Sequence, residues 1–67
     1  MLSNRIAVCR AEKKWTQQRL AEEVGISRQT VTAMENKKYN PSLILAFKVS
    51  KALGKPITEV FNYKEEI

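Results

Sequence analysis

Residues 16–36 read Thr-Gln-Gln-Arg-Leu-Ala-Glu-Glu-Val-Gly-Ile-Ser-Arg-Gln-Thr-Val-Thr-Ala-Met-Glu-Asn, and two helical patterns meet there at a single glycine. Thr16 suits an N-cap, because its hydroxyl oxygen can accept one of the unpaired N–H groups at a helix start. Gln17–Val24 follows as a helix with Leu20, Ala21 and Val24 spaced to face inward. Gly25 ends it: a left-handed backbone position after a helix is cheap for glycine and lets the chain reverse within a few residues. Ser27 then caps a second helix from Arg28 to about Asn36, with Val31 and Met34 facing the core. Its outer side carries Arg28, Gln29, Thr32, Ala33 and Asn36 and no large apolar group.

Outward from this stretch the chain reads as further helices. Leu2, Ile6, Cys9 and the stem of Lys13 lie at helical spacing, which predicts a first helix over about residues 3–13 with Ser3 as its cap. Residues 37–40 are a loop. Asn40 and Pro41 form a cap and first-turn pair for a fourth helix that continues to Leu53 and is closed by Gly54. Leu43, Ala46, Phe47, Val49 and Leu53 are its expected buried stripe, and Ile44 points outward with Lys48 and Lys51. Pro56 starts a short fifth helix to about Phe61, and residues 62–67 are a polar tail or a brief strand.

Composition narrows the class. With 67 residues, the chain fits one domain. A domain of about 60 residues buries only about 60% of its unfolded surface, so stability is expected to be marginal. One cysteine allows no internal disulfide, and the absence of histidine removes the commonest general base and metal ligand. Catalysis, a cofactor and structural zinc are therefore not expected. No apolar run reaches the roughly 18 residues of a membrane span and no basic segment leads into an apolar one at the N-terminus, which places the protein in the cytoplasm. The net charge is +5, with residues 1–58 holding eleven bases against four acids, +7, and the last nine holding −2. A basic body favours a polyanion, although many small domains are basic for solubility alone.

Two short helices at this spacing form a helix-turn-helix, whose second helix enters the major groove of double-stranded DNA. Gln29 is suited to pair with adenine N6 and N7, Arg28 with guanine or with a phosphate, and Thr32 to offer its methyl to thymine or stay solvated. Gln17 opens a helix, where unpaired N–H groups attract phosphate, and Ser27 serves as a cap, a phosphate donor or both. Ile44, Ile57, Val60 and Phe61, together with Tyr63, are candidates for an apolar patch that covers a second copy. Cys9 and Trp15 are read as packing groups.

Thr16, Gln17, Leu20, Ala21, Gly25, Ser27, Val31, Glu35, Pro41, Ser42 and Leu43 stand at spacings that resemble the Xre, or lambda-repressor-like, helix-turn-helix family over residues 2–61, closest to short stand-alone regulators of the cytolysin repressor type. The resemblance implies an all-α domain of five helices, in some short members with a small terminal β-ribbon, that binds operator DNA as a symmetric homodimer. It also implies a partly buried salt bridge between Arg10 and Glu35, and a loop of Lys37, Lys38, Tyr39 and Asn40 beside the sugar-phosphate backbone. The alternatives are solvated charges and a Tyr39 ring laid on the core. The chain departs from the family pattern at Cys9 and Trp15, usually aliphatic, and at Lys37-Lys38, where many members have Gly-Lys. The expected function is a transcriptional regulator, a repressor on a palindromic operator, with no membrane partner and no small-molecule site. The alternative is an antitoxin or adaptor whose main partner is another protein.

Overall fold

Five helices and a two-stranded antiparallel ribbon build residues 2–63, the part of the chain that the computed structural model describes. In order these are β1 (Leu2–Asn4), α1 (Ile6–Glu12), α2 (Gln17–Val24), α3 (Arg28–Glu35), α4 (Leu43–Leu53), α5 (Ile57–Val60) and β2 (Phe61–Tyr63). The caps of α2 and α3 follow the local chemistry. Thr16 accepts the Arg19 N–H at 3.0 Å and Ser27 the Thr30 N–H at 3.1 Å. Gly25 takes a left-handed φ of 82°. The chain then turns back, with the Ile26 N–H donating to Ala21 O at 3.0 Å.

The first helix starts later than its periodicity predicts. Leu2–Asn4 instead pair with Phe61–Tyr63 in the register Leu2↔Tyr63, Ser3↔Asn62, Asn4↔Phe61. Strand pairing satisfies backbone groups that an uncapped helix start would leave open. Ser3 is therefore no helix cap, and its hydroxyl donates to Asn62 O at 3.3 Å. Asn4 does the local work: its Oδ1 accepts the Ile6 N–H at 3.1 Å while its Nδ2 donates to Met34 O at 2.8 Å, tying the ribbon to the end of α3. At the other end, Lys13 is an exposed C-cap rather than the last residue of the stripe.

The fourth helix also begins later than expected, at Leu43, with Ser42 rather than Asn40 as its cap; Ser42 Oγ accepts the Leu45 N–H at 3.1 Å. Its buried positions are Ala46, Val49, Ser50 and Leu53, the i, i+3, i+4, i+7 face of a helix. That phase turns Leu43 and Phe47 outward, 69% and 54% exposed, against the expectation that they are core. Ser50 is accommodated because its hydroxyl donates to Ala46 O at 2.9 Å. The fifth helix is a single turn after Pro56 and ends at Val60, and Phe61 opens β2. Of the expected tail, Asn62 and Tyr63 belong to that strand; residues 64–67 lie outside the described part.

Between these elements sits one core of Ile6, Cys9, Leu20, Ala21, Val31, Met34, Ala46, Val49, Leu53, Val60 and Phe61. Each large side chain there contributes about 1.5–3 kcal/mol by leaving water. Cys9 is a packing group, 4% exposed. Trp15 packs against the edge of the core, with Lys13 Nζ 4.9 Å and the Arg19 guanidinium 5.0 Å from its ring centre. Lys55 Nζ lies 3.1 Å from Glu12 Oε1, and that hydrogen bond and charge hold the lysine above its ordinary pKa. Among the described residues no helix is long and apolar enough to cross a membrane.

Candidate nucleic-acid interface

The third helix buries Val31 and Met34 completely and leaves Arg28 and Gln29 exposed. Arg28, Gln29, Thr32, Ala33, Asn36 and Lys38 line one shallow concavity on its outer side, with no acidic group among them. The carboxylates of α2 bond within their own helix, Glu23 with Arg19 at 2.9 Å and Glu22 with Gln18 at 3.2 Å. What α3 offers outward is therefore cationic and amide donors around two small side chains.

A buried-side network holds the helix from behind. Arg10 donates from Nε to Glu35 Oε2 at 3.0 Å, from Nη2 to Oε1 at 3.3 Å, and from Nη1 to Trp15 O at 2.8 Å. The ion pair that the resemblance implies is thus present, two-pronged and only 19% and 9% exposed. Such a fork fits a carboxylate better than a point charge does. Gln17 joins it, with Nε2 donating to Glu35 Oε1 at 3.0 Å and Oε1 accepting the Thr32 hydroxyl at 3.0 Å.

Gln17 is half-buried and faces inward, so its side chain is less available to a phosphate than its place at a helix start suggests. Gln17, Gln18, Thr16, Arg10 and Arg28 nevertheless border one surface depression at the first turn of α2. By helix geometry the N–H groups of Gln17 and Gln18 have no partner within the helix. Ser27 is exposed, and beyond its capping bond it shares a 2.9 Å hydrogen bond with Thr30 Oγ1.

The loop after α3 follows the turn that a glycine would make. Lys37 takes a φ of 61°. Its N–H donates to Met34 O at 3.1 Å, and the Lys38 N–H donates to Ala33 O at 2.8 Å, the paired closure that usually places glycine at this point. Lys37, Lys38, Tyr39 and Asn40 are all exposed, and the Tyr39 ring, 44% exposed, does not lie on the core.

Of the four residues expected to border a self-association patch, two do not. Val60 and Phe61 are 1% and 9% exposed, and both belong to the core of the protomer, because α5 is too short to present a separate face. Ile57 is half-buried and Ile44 is 70% exposed. Sequence reasoning missed Leu43 and Phe47 beside Ile44. It also missed Asn4, whose position two residues before a helix was the available signal for a side chain that closes onto the backbone.

Comparison with known proteins bears on the same stretch. The model of a family described as helix-turn-helix matches residues 6–60. An uncharacterised helix-turn-helix-type transcriptional regulator of Methanocaldococcus jannaschii is 43% identical over 97% of this chain and 98% of its own length. A crystal structure of a candidate DNA-binding protein from Bacteroides fragilis superposes with a TM-score of 0.83 at 37% identity, covering 92% of this chain and all of the other. The restriction-modification controller protein C.AhdI of Aeromonas hydrophila gives 0.77 at 30% identity, over 81% of this chain and 82% of its own. Antitoxin HipB of Escherichia coli is 35% identical over 85% of this chain and 61% of HipB.

Proposed function

The chain belongs to the Xre/Cro-type helix-turn-helix family of DNA-binding transcriptional regulators, and from that premise we propose that it is a cytoplasmic repressor, two copies of which occupy a palindromic operator. The observation that carries this reading is the outer face of α3, where Arg28, Gln29 and Thr32 stand on a helix whose inner face is fully buried. Gln29 reads adenine through a two-pronged amide contact and Arg28 reads guanine or grips a phosphate at the helix start. Ser27, Lys37, Lys38, Tyr39, Asn40 and the first turn of α2 at Gln17 hold the sugar-phosphate strands on either side.

A second copy is needed because a few base contacts, each worth about 1–3 kcal/mol, cannot pick one site from a genome. Two-fold symmetry sets the recognition helices about 34 Å apart and makes the operator a palindrome. The surface assigned to the partner copy is the exposed apolar part of α4, Leu43, Ile44 and Phe47, at 69%, 70% and 54% exposure, with Ile57 at its margin. Ile44→Glu should leave the fold intact, give a monomer on sedimentation, and weaken operator binding at least about tenfold.

Selection of bound fragments from random duplex DNA tests the reading directly. The wild-type protein should enrich a palindrome, and Gln29→Ala should lose preference at one symmetric pair of positions. A uniform loss across all sequences would assign Gln29 to a phosphate instead. With about three phosphates neutralised per protomer, log affinity should fall against log salt with a slope near about −5.

The HipB similarity favours a second reading, an antitoxin or adaptor whose main partner is another protein and whose DNA binding is autoregulatory. Co-expression with the product of the adjacent gene separates the two. A stable complex that retards the operator fragment further supports the adaptor, and an unchanged shift supports the stand-alone repressor.

A further inference from the structure

A carboxylate only accepts hydrogen bonds, whereas an amide side chain donates from one end and accepts at the other. Glu35 therefore decides which end of Gln17 faces it: Nε2 donates to Glu35 Oε1 at 3.0 Å. Arg10 keeps that carboxylate from rotating away by bonding both of its oxygens, at 3.0 and 3.3 Å. With its amino end committed, Gln17 turns its carbonyl toward α3, where Oε1 accepts the Thr32 hydroxyl at 3.0 Å. The same hydroxyl lies 3.1 Å from the carbonyl oxygen of Arg28, one turn back. The oxygen branch of Thr32 is thus held against α2 and its own helix, and the chirality at Cβ then fixes where the methyl branch goes.

We propose that Gln17 is a positioning residue for base recognition: by clamping the Thr32 hydroxyl it keeps a methyl, not a hydroxyl, on the outer face of α3 beside Ala33, and this point of the helix takes a thymine by its 5-methyl group. The inference rests on the operator-binding reading above. Thr32 and Ala33 are the two small side chains in a concavity whose other walls are Arg28, Gln29, Asn36 and Lys38, an apolar spot framed by donors. A free threonine hydroxyl hydrogen-bonds to several base edges and discriminates poorly among them. Clamped, Thr32 is selective. The chain of cause runs from an ion pair rooted in α1, through an amide on α2, to a methyl on α3, and no member before Thr32 touches a base.

Deoxyuridine in place of thymidine removes the 5-methyl group and nothing else from the base, which makes it the probe. In the selected operator, substitution at the thymine facing Thr32 in one half-site should weaken wild-type binding about fourfold, the value of one methyl leaving water. Gln17→Ala, assayed well below its melting temperature, should cut that penalty to about twofold, because the hydroxyl keeps only the Arg28 carbonyl of its own helix and Thr32 then divides between two rotamers. Adding Thr32→Val to Gln17→Ala should restore it, since valine presents a methyl without needing a clamp. Thr32→Ser, which keeps the clamp and lacks the methyl, should abolish the penalty; if Gln17→Ala does not fold, Gln17→Met, which fills similar space with no amide to donate or accept, is the test of the clamp and should lower the penalty in the same way. A Gln17 with only a structural role would weaken binding to both operators equally and leave the penalty at fourfold, which would overturn the inference. So would a wild-type protein that selects a palindrome yet shows no penalty at any thymine. Failure to select any motif would defeat the operator reading itself.

Discussion

The two ends of the recognition helix are closed by the same backbone geometry and by different chemistry. At the entry, Gly25 holds a φ of 82° and Ser27 caps the first turn; every group involved lies within a few residues of the next. At the exit, Lys37 holds a φ of 61° with no glycine, and the last turn is secured by partners from far along the chain. Glu35 is bonded by Arg10, twenty-five positions away, and Met34 O by Asn4, thirty positions away. A left-handed lysine costs roughly 1–2 kcal/mol more than a glycine there. The entry is thus held by local means, whereas the exit carries a strained lysine and is secured by long-range bonds.

The contrast breaks if the exit proves no more dependent on distant residues than the entry. Glu35→Ala should show the largest effect, because it leaves the Arg10 guanidinium short of its partner. We expect about 3 kcal/mol, at the low end for a buried pair because Arg10 is partly exposed. In a chain of this size that lowers Tm by on the order of 15 °C, readable by circular dichroism. A drop as small as that of a surface substitution would mean the ion pair does not anchor α3. Next, Asn4→Ala removes the side-chain acceptor of the Ile6 N–H and one of the donors to Met34 O, and should cost about 1–2 kcal/mol in urea unfolding.

At the entry, Ser27→Ala should cost about 1 kcal/mol, and Ser27→Gly only a few tenths, since glycine also suits the cap backbone. The smallest change sharpens the comparison most. Lys37→Gly should stabilise the fold by up to about 1 kcal/mol while lowering the salt slope of operator binding by about 1. Opposite signs for stability and binding would show that the strain is kept for the charge. Stabilisation with an unchanged slope would show that Lys37 is a solvated charge and that its backbone geometry serves no contact.

The same division governs what was legible in the sequence. Thr16, Gly25 and Ser27 act on their neighbours, so the boundaries of α2 and α3 and the polar outer face of the recognition helix could be read directly. The ribbon could not: Leu2–Asn4 form a strand only because Phe61–Tyr63 arrive beside them, and an apolar residue every three or four positions mimics a helix. Asn40 and Ser42 are both good caps, and the choice between them depended on which phase of α4 fits the core. That phase also decided that Phe47 is outside while Ser50 is inside. From its place at a helix start, Gln17 reads as a phosphate contact. Its turn toward Glu35 depends on an ion pair between two other helices, which no local pattern announces.

The β-ribbon has a consequence for synthesis. Strand β1 has no partner until Phe61–Tyr63 have been added to the chain, and Asn4 rides on that strand to reach Met34. A growing chain with residues 61–63 still in the exit tunnel can wind α2 and α3 and yet lacks the strand pairing that secures the far end of α3. The far end of α3 should therefore be secured only after β2 has emerged, however early α2 and α3 wind.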